Sequence, residues 1–322
     1  MNFTLDGKLY GIKCAIVITI ALFSNCNSKT DQSSYLPLFP YSDAQRFNWT
    51  SLEKQNAPLK ERFIKLASHL LENEYPTYCT DQDITKLRRA EFEKTLHVLD
   101  FNGDGLDDII YEGNSGGEPQ EVAFLLNTGN DFKLVFRETQ SVAAMRFTDH
   151  KLTNVYFVDS GCCEDYIDFC KVYNVKYDDG ALKFVNTYTT ASINSTYWPK
   201  KFLNHPIYFE VLNNNYKMRL APVIDDNTIN DRAIPQDSLI GNTIDTLNKG
   251  TKGRAVAVQT DKTGRVWWLV EIDRDYSSYG HYFYEQDANL FYKESEDTTH
   301  KAAKMGWISS RYVKKIKRSA DQ

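Results

Sequence analysis

Asp100, Asn102, Asp104 and Asp108 fall close together in "LHVLDFNGDGLDDIIYEG", residues 96–113, with Gly105 between them. Alternate residues of a tight loop direct their side chains toward one centre, and a hard cation such as calcium takes about six to eight oxygen ligands. Asp100, Asn102 and Asp104 would occupy the first, third and fifth positions of such a loop. Gly105 permits a turn at positive φ, Leu106 offers its carbonyl, and Asp108 closes the set. Calcium is the expected cofactor; a metal-free, Asx-rich hairpin turn is the competing reading of the same residues. Catalytic constellations are missing from the sequence: it holds no H-E-x-x-H, no G-x-S-x-G and no phosphate-cradling glycine loop. Cys79 and His97 make an arithmetically possible thiol pair, but a disulfide suits Cys79 better. The chain is therefore read as a binding protein, not an enzyme.

The segments that must position this loop read as strands. Hydrophobic residues make up 42% of the chain and aromatics 13%, with 20 Tyr and 18 Phe, a bias toward β structure. From Leu96 the apolar period is two, in short runs such as "LHVLD", "QEVAFLLNTG", "LTNVYFVDSG" and "CKVYNVKYDDG" separated by Gly, Asn and Asp. Upstream, residues 51–72 place Leu59, Phe63, Leu66 and Leu70 on one helical face, with Ser51 as the candidate cap. A looser stretch, "SINSTYWPKKFLNHP", precedes a second β-rich region from Tyr208. The expected fold is mainly β: an antiparallel domain over 51–207 with the calcium loop and an N-terminal helix, then a small β-barrel over 208–318.

The loop resembles an EF-hand loop except at its twelfth position, where Tyr111 replaces the bidentate Glu and the flanks are strands. It is more similar to the integrin-type FG-GAP, or VCBS-like, repeat, in which D-x-[DN]-x-D-G-x-x-D joins two strands and binds calcium. The likeness continues through "DDIIYEGNSGGEPQEVAFLLNTGNDFKLV". It covers one repeat, whereas a propeller needs several.

Asn230, Arg232, Pro235, Gly241, Leu247, Lys249, Gly250, Trp268, Gly306, Trp307, Ile308 and Tyr312 resemble the pattern of the bacterial SH3-like domain. That resemblance implies a targeting or interaction module for protein, peptide or cell-wall glycan. The same family often accompanies cell-wall hydrolases, which keeps an enzyme-associated role as the alternative. A long insertion at 273–303 carries Tyr276, Tyr279, Tyr282 and Tyr284, which with Trp267 form a candidate ligand platform; packing of the insertion onto the barrel is the plainer reading. Alternation along "VWWLVEI" puts Val266, Trp268 and Val270 toward the core and Trp267, Leu269 and Glu271 outward.

Lys8 and Lys13 precede the apolar run at 14–23, which is too short to span a bilayer and fits a signal peptide over 1–25. Cys26 follows as in a bacterial lipobox, so a lipid anchor at Cys26 with a tether over 26–50 is expected, cleavage and plain secretion being the alternative. Of the 6 cysteines, removing Cys14 and Cys26 leaves Cys79, Cys162, Cys163 and Cys170 as disulfide candidates in an extracytoplasmic compartment. "GCCEDYIDFC" lacks the ligand pairs of a zinc site. A formal charge of −5 and a single basic run, "KKIKR", give no footprint for nucleic acid.

Overall fold

The β-branched and aromatic runs form seventeen strands among the described residues. The computed structural model describes residues 39–41, 47–71, 89–114, 120–160, 166–178, 181–230, 239–272 and 302–317. The first sheet is an antiparallel meander of β1 (Leu96–Leu99), β2 (Asp108–Asn114), β3 (Gln120–Asn127) and β4 (Phe132–Glu138). The second begins with β5 (Ser141–Thr148), β6 (Lys151–Ser160), β7 (Ile167–Asp178) and β8 (Ala181–Ile193), again antiparallel. Asp149 and His150, both at positive φ, make the two-residue turn between β5 and β6.

The second sheet then takes in the later strands. These are β9 (Ile207–Val211), β10 (Tyr216–Arg219), β13 (Thr243–Leu247), β14 (Lys252–Thr260), β15 (Val266–Ile272), β16 (Ala303–Ser309) and β17 (Val313–Lys315). Two short strands, β11 (Ile229–Asn230) and β12 (Leu239–Ile240), pair separately. The spatial order is β17-β9-β14-β15-β16-β8-β7-β6-β5, with β10 joining β16 to β13. β16 runs parallel to β8, pairing Ala303 with Thr190 and Lys304 with Ala191. One sheet therefore crosses the division expected at residue 208, and no closed barrel is formed by the described strands.

The helix is shorter than its sequence pattern. α1 spans Ala57–Ala67 and starts at Asn56, whose side chain accepts the Leu59 N–H at 3.1 Å, so Asn56 and not Ser51 is the cap. Pro58 fits the first turn, where its missing N–H costs nothing. Ser51 instead ends a separate 3-10 turn, Trp49–Ser51. Leu59, Phe63, Ile64 and Ala67 pack on Leu96, Val98, Ile109, Ala123 and Leu125 of the first sheet, while Leu66 stays 43% exposed. The opposite face of that sheet, through Phe101, Ile110, Val122 and Phe124, packs on Val155, Phe157, Tyr173 and Val175 of the second.

Two-sided burial recurs in β15. Trp268, Val270 and Ile272 enter one core with Phe209, Met218, Ile244 and Ile308. Trp267 and Leu269 enter another with Phe39, Tyr41, Tyr156, Tyr188 and Phe202. The alternation expected along the strand is present, yet its second face is covered: Trp267 is 1% exposed and Trp268 6%. Trp267 is thus no part of an exposed platform. Its indole N–H donates to Asp261 at 2.9 Å. Truncating a buried aromatic costs about 3–5 kcal/mol, so Trp267→Ala and Trp268→Ala should both lower urea-unfolding stability by about that amount. A Trp267→Ala variant as stable as the parent would contradict this packing.

Candidate metal centre

The Leu99–Asp108 pair closes the β1–β2 ladder, leaving residues 100–107 as the loop. Phe101 is fully buried and anchors it: its carbonyl accepts the Leu152 N–H at 2.8 Å and lies 3.1 Å from the Tyr177 hydroxyl. Above that anchor the chain turns at Gly103 and Gly105, with φ of 72° and 88°. Asp100 accepts the N–H of Gly103 at 2.7 Å and of Gly105 at 2.9 Å. Asp104 accepts the Leu106 N–H at 2.8 Å and the Asn102 amide at 2.8 Å, while the Asn102 oxygen accepts the Asp104 N–H at 3.0 Å. Leu106 is exposed.

Asp108 sits at the base. It is fully buried and accepts the N–H groups of Phe101 at 3.1 Å and Asn127 at 2.8 Å. Burial pushes its carboxyl up to about 7 against those two hydrogen bonds, and the charges of Asp104 and Asp100 push the same way. Asp107, which the loop pattern leaves unassigned, pairs outward with Lys54 at 2.5 Å and Asn56 at 3.0 Å. Burial opposes its ionisation, but the hydrogen bonds from Lys54 and Asn56 hold its carboxyl below the usual range. The cap of α1 is thereby tied to the loop.

Asp100, Asn102, Asp104, Leu106 and Asp108 thus lie on one loop and supply only hard oxygen donors, which suit calcium. The side chains of Asp100, Asn102 and Asp104 accept the loop's own N–H groups, and those of Asp108 accept Phe101 and Asn127; among the described residues no group of three or more His, Cys, Asp or Glu is gathered as a metal cage. Each carboxylate oxygen that accepts one N–H keeps a further lone pair.

The remaining candidates are spread apart. Cys26, Cys79, Cys162, Cys163, Tyr276, Tyr279, Tyr282 and Tyr284 lie outside the described residues, as do Arg232 and Pro235. Among the described residues Cys170 is a buried free thiol, and its candidate partners Cys79, Cys162 and Cys163 lie outside them. Its position on β7 turns it into the core with Tyr156 and Tyr188, burial pushes its pKa up, and Thr190 hydrogen-bonds it. His97 stacks on Trp49, with ring centroids 4.0 Å apart, and its Nδ1 lies 2.9 Å from Glu53. Cys79, weighed as its partner in a thiol pair, lies outside the described residues.

Comparison of the chain with family models, curated proteins and solved structures returned no match, so the site rests on its own residues.

A polar cluster went unseen in the sequence. Glu271, on the face of β15 expected to meet solvent, is 1% exposed. It accepts the hydroxyls of Tyr41 at 2.6 Å and Tyr188 at 2.8 Å and is paired with the buried Arg254. The available signal was a charge within each of two otherwise apolar runs, "GRAVAV" and "VWWLVEI".

Two outcomes follow. A Cβ on Gly103 would meet Lys151 Cγ at 2.9 Å and the His150 carbonyl at 3.3 Å, whereas one on Gly105 would meet nothing within 4 Å. Both substitutions carry the positive-φ strain of about 1 kcal/mol, so Gly103→Ala should cost more than Gly105→Ala in chemical denaturation; equal costs would refute the packing of the loop on the β5–β6 turn. Burial lowers the His97 pKa below its ordinary 6.5, outweighing the Glu53 hydrogen bond. The unfolded chain then binds the extra proton first, so the His97 contribution is present above pH 6.5 and is lost as pH falls toward the lower folded value. Stability measured across that window should show this loss in the parent and not in His97→Gln.

Proposed function

We propose that the protein is a calcium-binding, lipid-anchored envelope or surface protein, acting as a non-enzymatic binding module through its C-terminal SH3-like segment. The observation that carries the reading is the Asp100–Asp108 loop, in which two positive-φ glycines and a buried Asp108 set oxygen donors around one turn. Asp100, Asn102, Asp104, Asp108 and the Leu106 carbonyl are the residues that would hold calcium. The ion would offset the mutual repulsion of Asp100, Asp104 and Asp108, and would stiffen a loop already braced by Lys54, Asn56 and Tyr177.

The SH3-like part is supported by the pairing of β9, β10 and β13–β17 in one sheet and by the core of Phe209, Met218, Ile244, Trp268, Val270 and Ile308 that they share. Its barrel character stays a proposal, as do the signal segment, the anchor at Cys26 and disulfides among Cys79, Cys162 and Cys163. The partners this reading names are an envelope protein, a peptide or a cell-wall glycan, met outside the cytoplasm.

Preferential binding to the folded state raises the melting temperature. Extracellular calcium sites have dissociation constants on the order of 10⁻⁴ to 10⁻³ M, so millimolar calcium should raise Tm of the parent, chelator should reverse the rise, and Asp104→Ala should abolish it. Calorimetry giving the same calcium response in parent and Asp104→Ala would overturn the assignment.

A further inference from the structure

Asn102–Gly103 is the one Asn-Gly step in the sequence. It lies at the rim of the acidic loop, with Asn102 half-buried and Gly103 exposed. The Asn102 side chain is folded forward over Gly103. Its oxygen accepts the Asp104 N–H at 3.0 Å and its nitrogen donates to Asp104 Oδ2 at 2.8 Å, both at exposed positions. A local side-chain-to-backbone ring of this kind spans the intervening peptide. The nitrogen of that peptide belongs to Gly103, which has no Cβ to shield it and whose φ of 72° favours glycine. Asn213, Asn214 and Asn215 are exposed as well, but each is followed by a residue that carries a side chain.

We propose that Asn102 is a self-modifying site, at which the Gly103 nitrogen attacks the Asn102 side-chain carbonyl carbon and the loop gains a carboxylate. The bond from the Gly103 nitrogen to Cγ forms, the Cγ–Nδ2 bond breaks, and ammonia leaves with the Gly103 amide proton, giving a cyclic imide. Water then opens the ring. Opening at Cγ gives an aspartyl residue; opening at the main-chain carbonyl gives an isoaspartyl residue, in which the chain runs through Cγ. The sum is water in and ammonia out, with no oxidation or reduction. Attacking and attacked atoms belong to neighbouring residues, so closure is intramolecular and gains from their proximity.

Either product loosens the loop. The amide that donates to Asp104 becomes an acceptor, so a hydrogen bond gives way to repulsion between carboxylates. Asp100, which holds the N–H groups of Gly103 and Gly105, adds to that crowding of charge. The isoaspartyl product also lengthens the main chain between Phe101 and Gly103 and shifts the Gly103 N–H from Asp100. The reaction needs Asn102, Gly103 and water, so it stands apart from the calcium reading.

The test incubates the full folded chain at neutral pH with chelator present and follows each Asn by peptide mass mapping. Conversion of Asn102 should exceed that of Asn213, Asn214 and Asn215 several-fold. It should yield aspartyl and isoaspartyl peptides together, because the imide opens at either carbonyl. Gly103→Ala should slow conversion several-fold; if that variant does not fold, the parent with its three internal controls still decides the matter. Asn102→Asp, which copies the aspartyl product, should melt below the parent in chelator, and an equal Tm would overturn the loosening. A free peptide of residues 96–108 gives the rate of the unrestrained sequence. Conversion in that peptide but not in the folded chain would overturn the site, since the loop would then shield Asn102, and an aspartyl product alone would replace the Gly103 attack with direct hydrolysis by solvent.

Discussion

The junction of β16 with β8 decides the rest of the structure. Two residue pairs, Ala303 with Thr190 and Lys304 with Ala191, run in parallel and join the early meander to the later strands in one hydrogen-bonded sheet. Once joined, β14, β15 and β16 are covered on both faces, because the face turned away from the Trp268 core meets Tyr156, Tyr188 and Phe202. A strand buried on both faces reads as a continuous apolar run, as a central strand of a covered sheet does.

That burial also accounts for the charges enclosed here. Arg254 and Glu271 face each other across β14 and β15, directly opposite in register. Lys304 on β16 and Asp245 on β13 form a second enclosed pair at 3.2 Å. Removing one member of a buried pair typically costs about 3–5 kcal/mol, because the survivor is left charged and unpaired, while an apolar replacement of both is often neutral. Such pairs are therefore weak sources of stability and strong constraints on register. Burial, followed by the charge of Glu271, pushes the phenols of Tyr41 and Tyr188 far above 10.0, so both remain donors to the carboxylate.

The acidic loop depends on the same stacking of layers. It is held from below by Phe101 in the core between the sheets, from one side by the Lys54 and Asn56 contacts to Asp107, and from the other by Lys151 beside Gly103. Its exposed rim is formed by Gly103, Asp104, Gly105 and Leu106, while Asp108 is drawn inside. A carboxylate at the base of a loop, short of solvent and near two others, is electrostatically costly. Cation binding would relieve that cost, and so would protonation.

Local chemistry was legible in the chain. Period-two runs from Leu96 became strands, the Asx and Gly spacing marked the turn at 100–107, and Leu59 and Phe63 of the expected helical face are buried, whereas Leu66 is exposed and Ile64 and Ala67 complete the packed face instead. Competition among local signals already blurred the helix start, where Asn56 and Pro58 prevailed over Ser51. What tertiary structure alone decided was which second faces would be covered. Trp267 and Glu271 alternate with Trp268 and Val270 as strand geometry demands, but outward became inward when residues more than sixty positions upstream, and Tyr41 still earlier, closed over them. Alternation specifies that two faces differ; only long-range packing determines whether either one meets water.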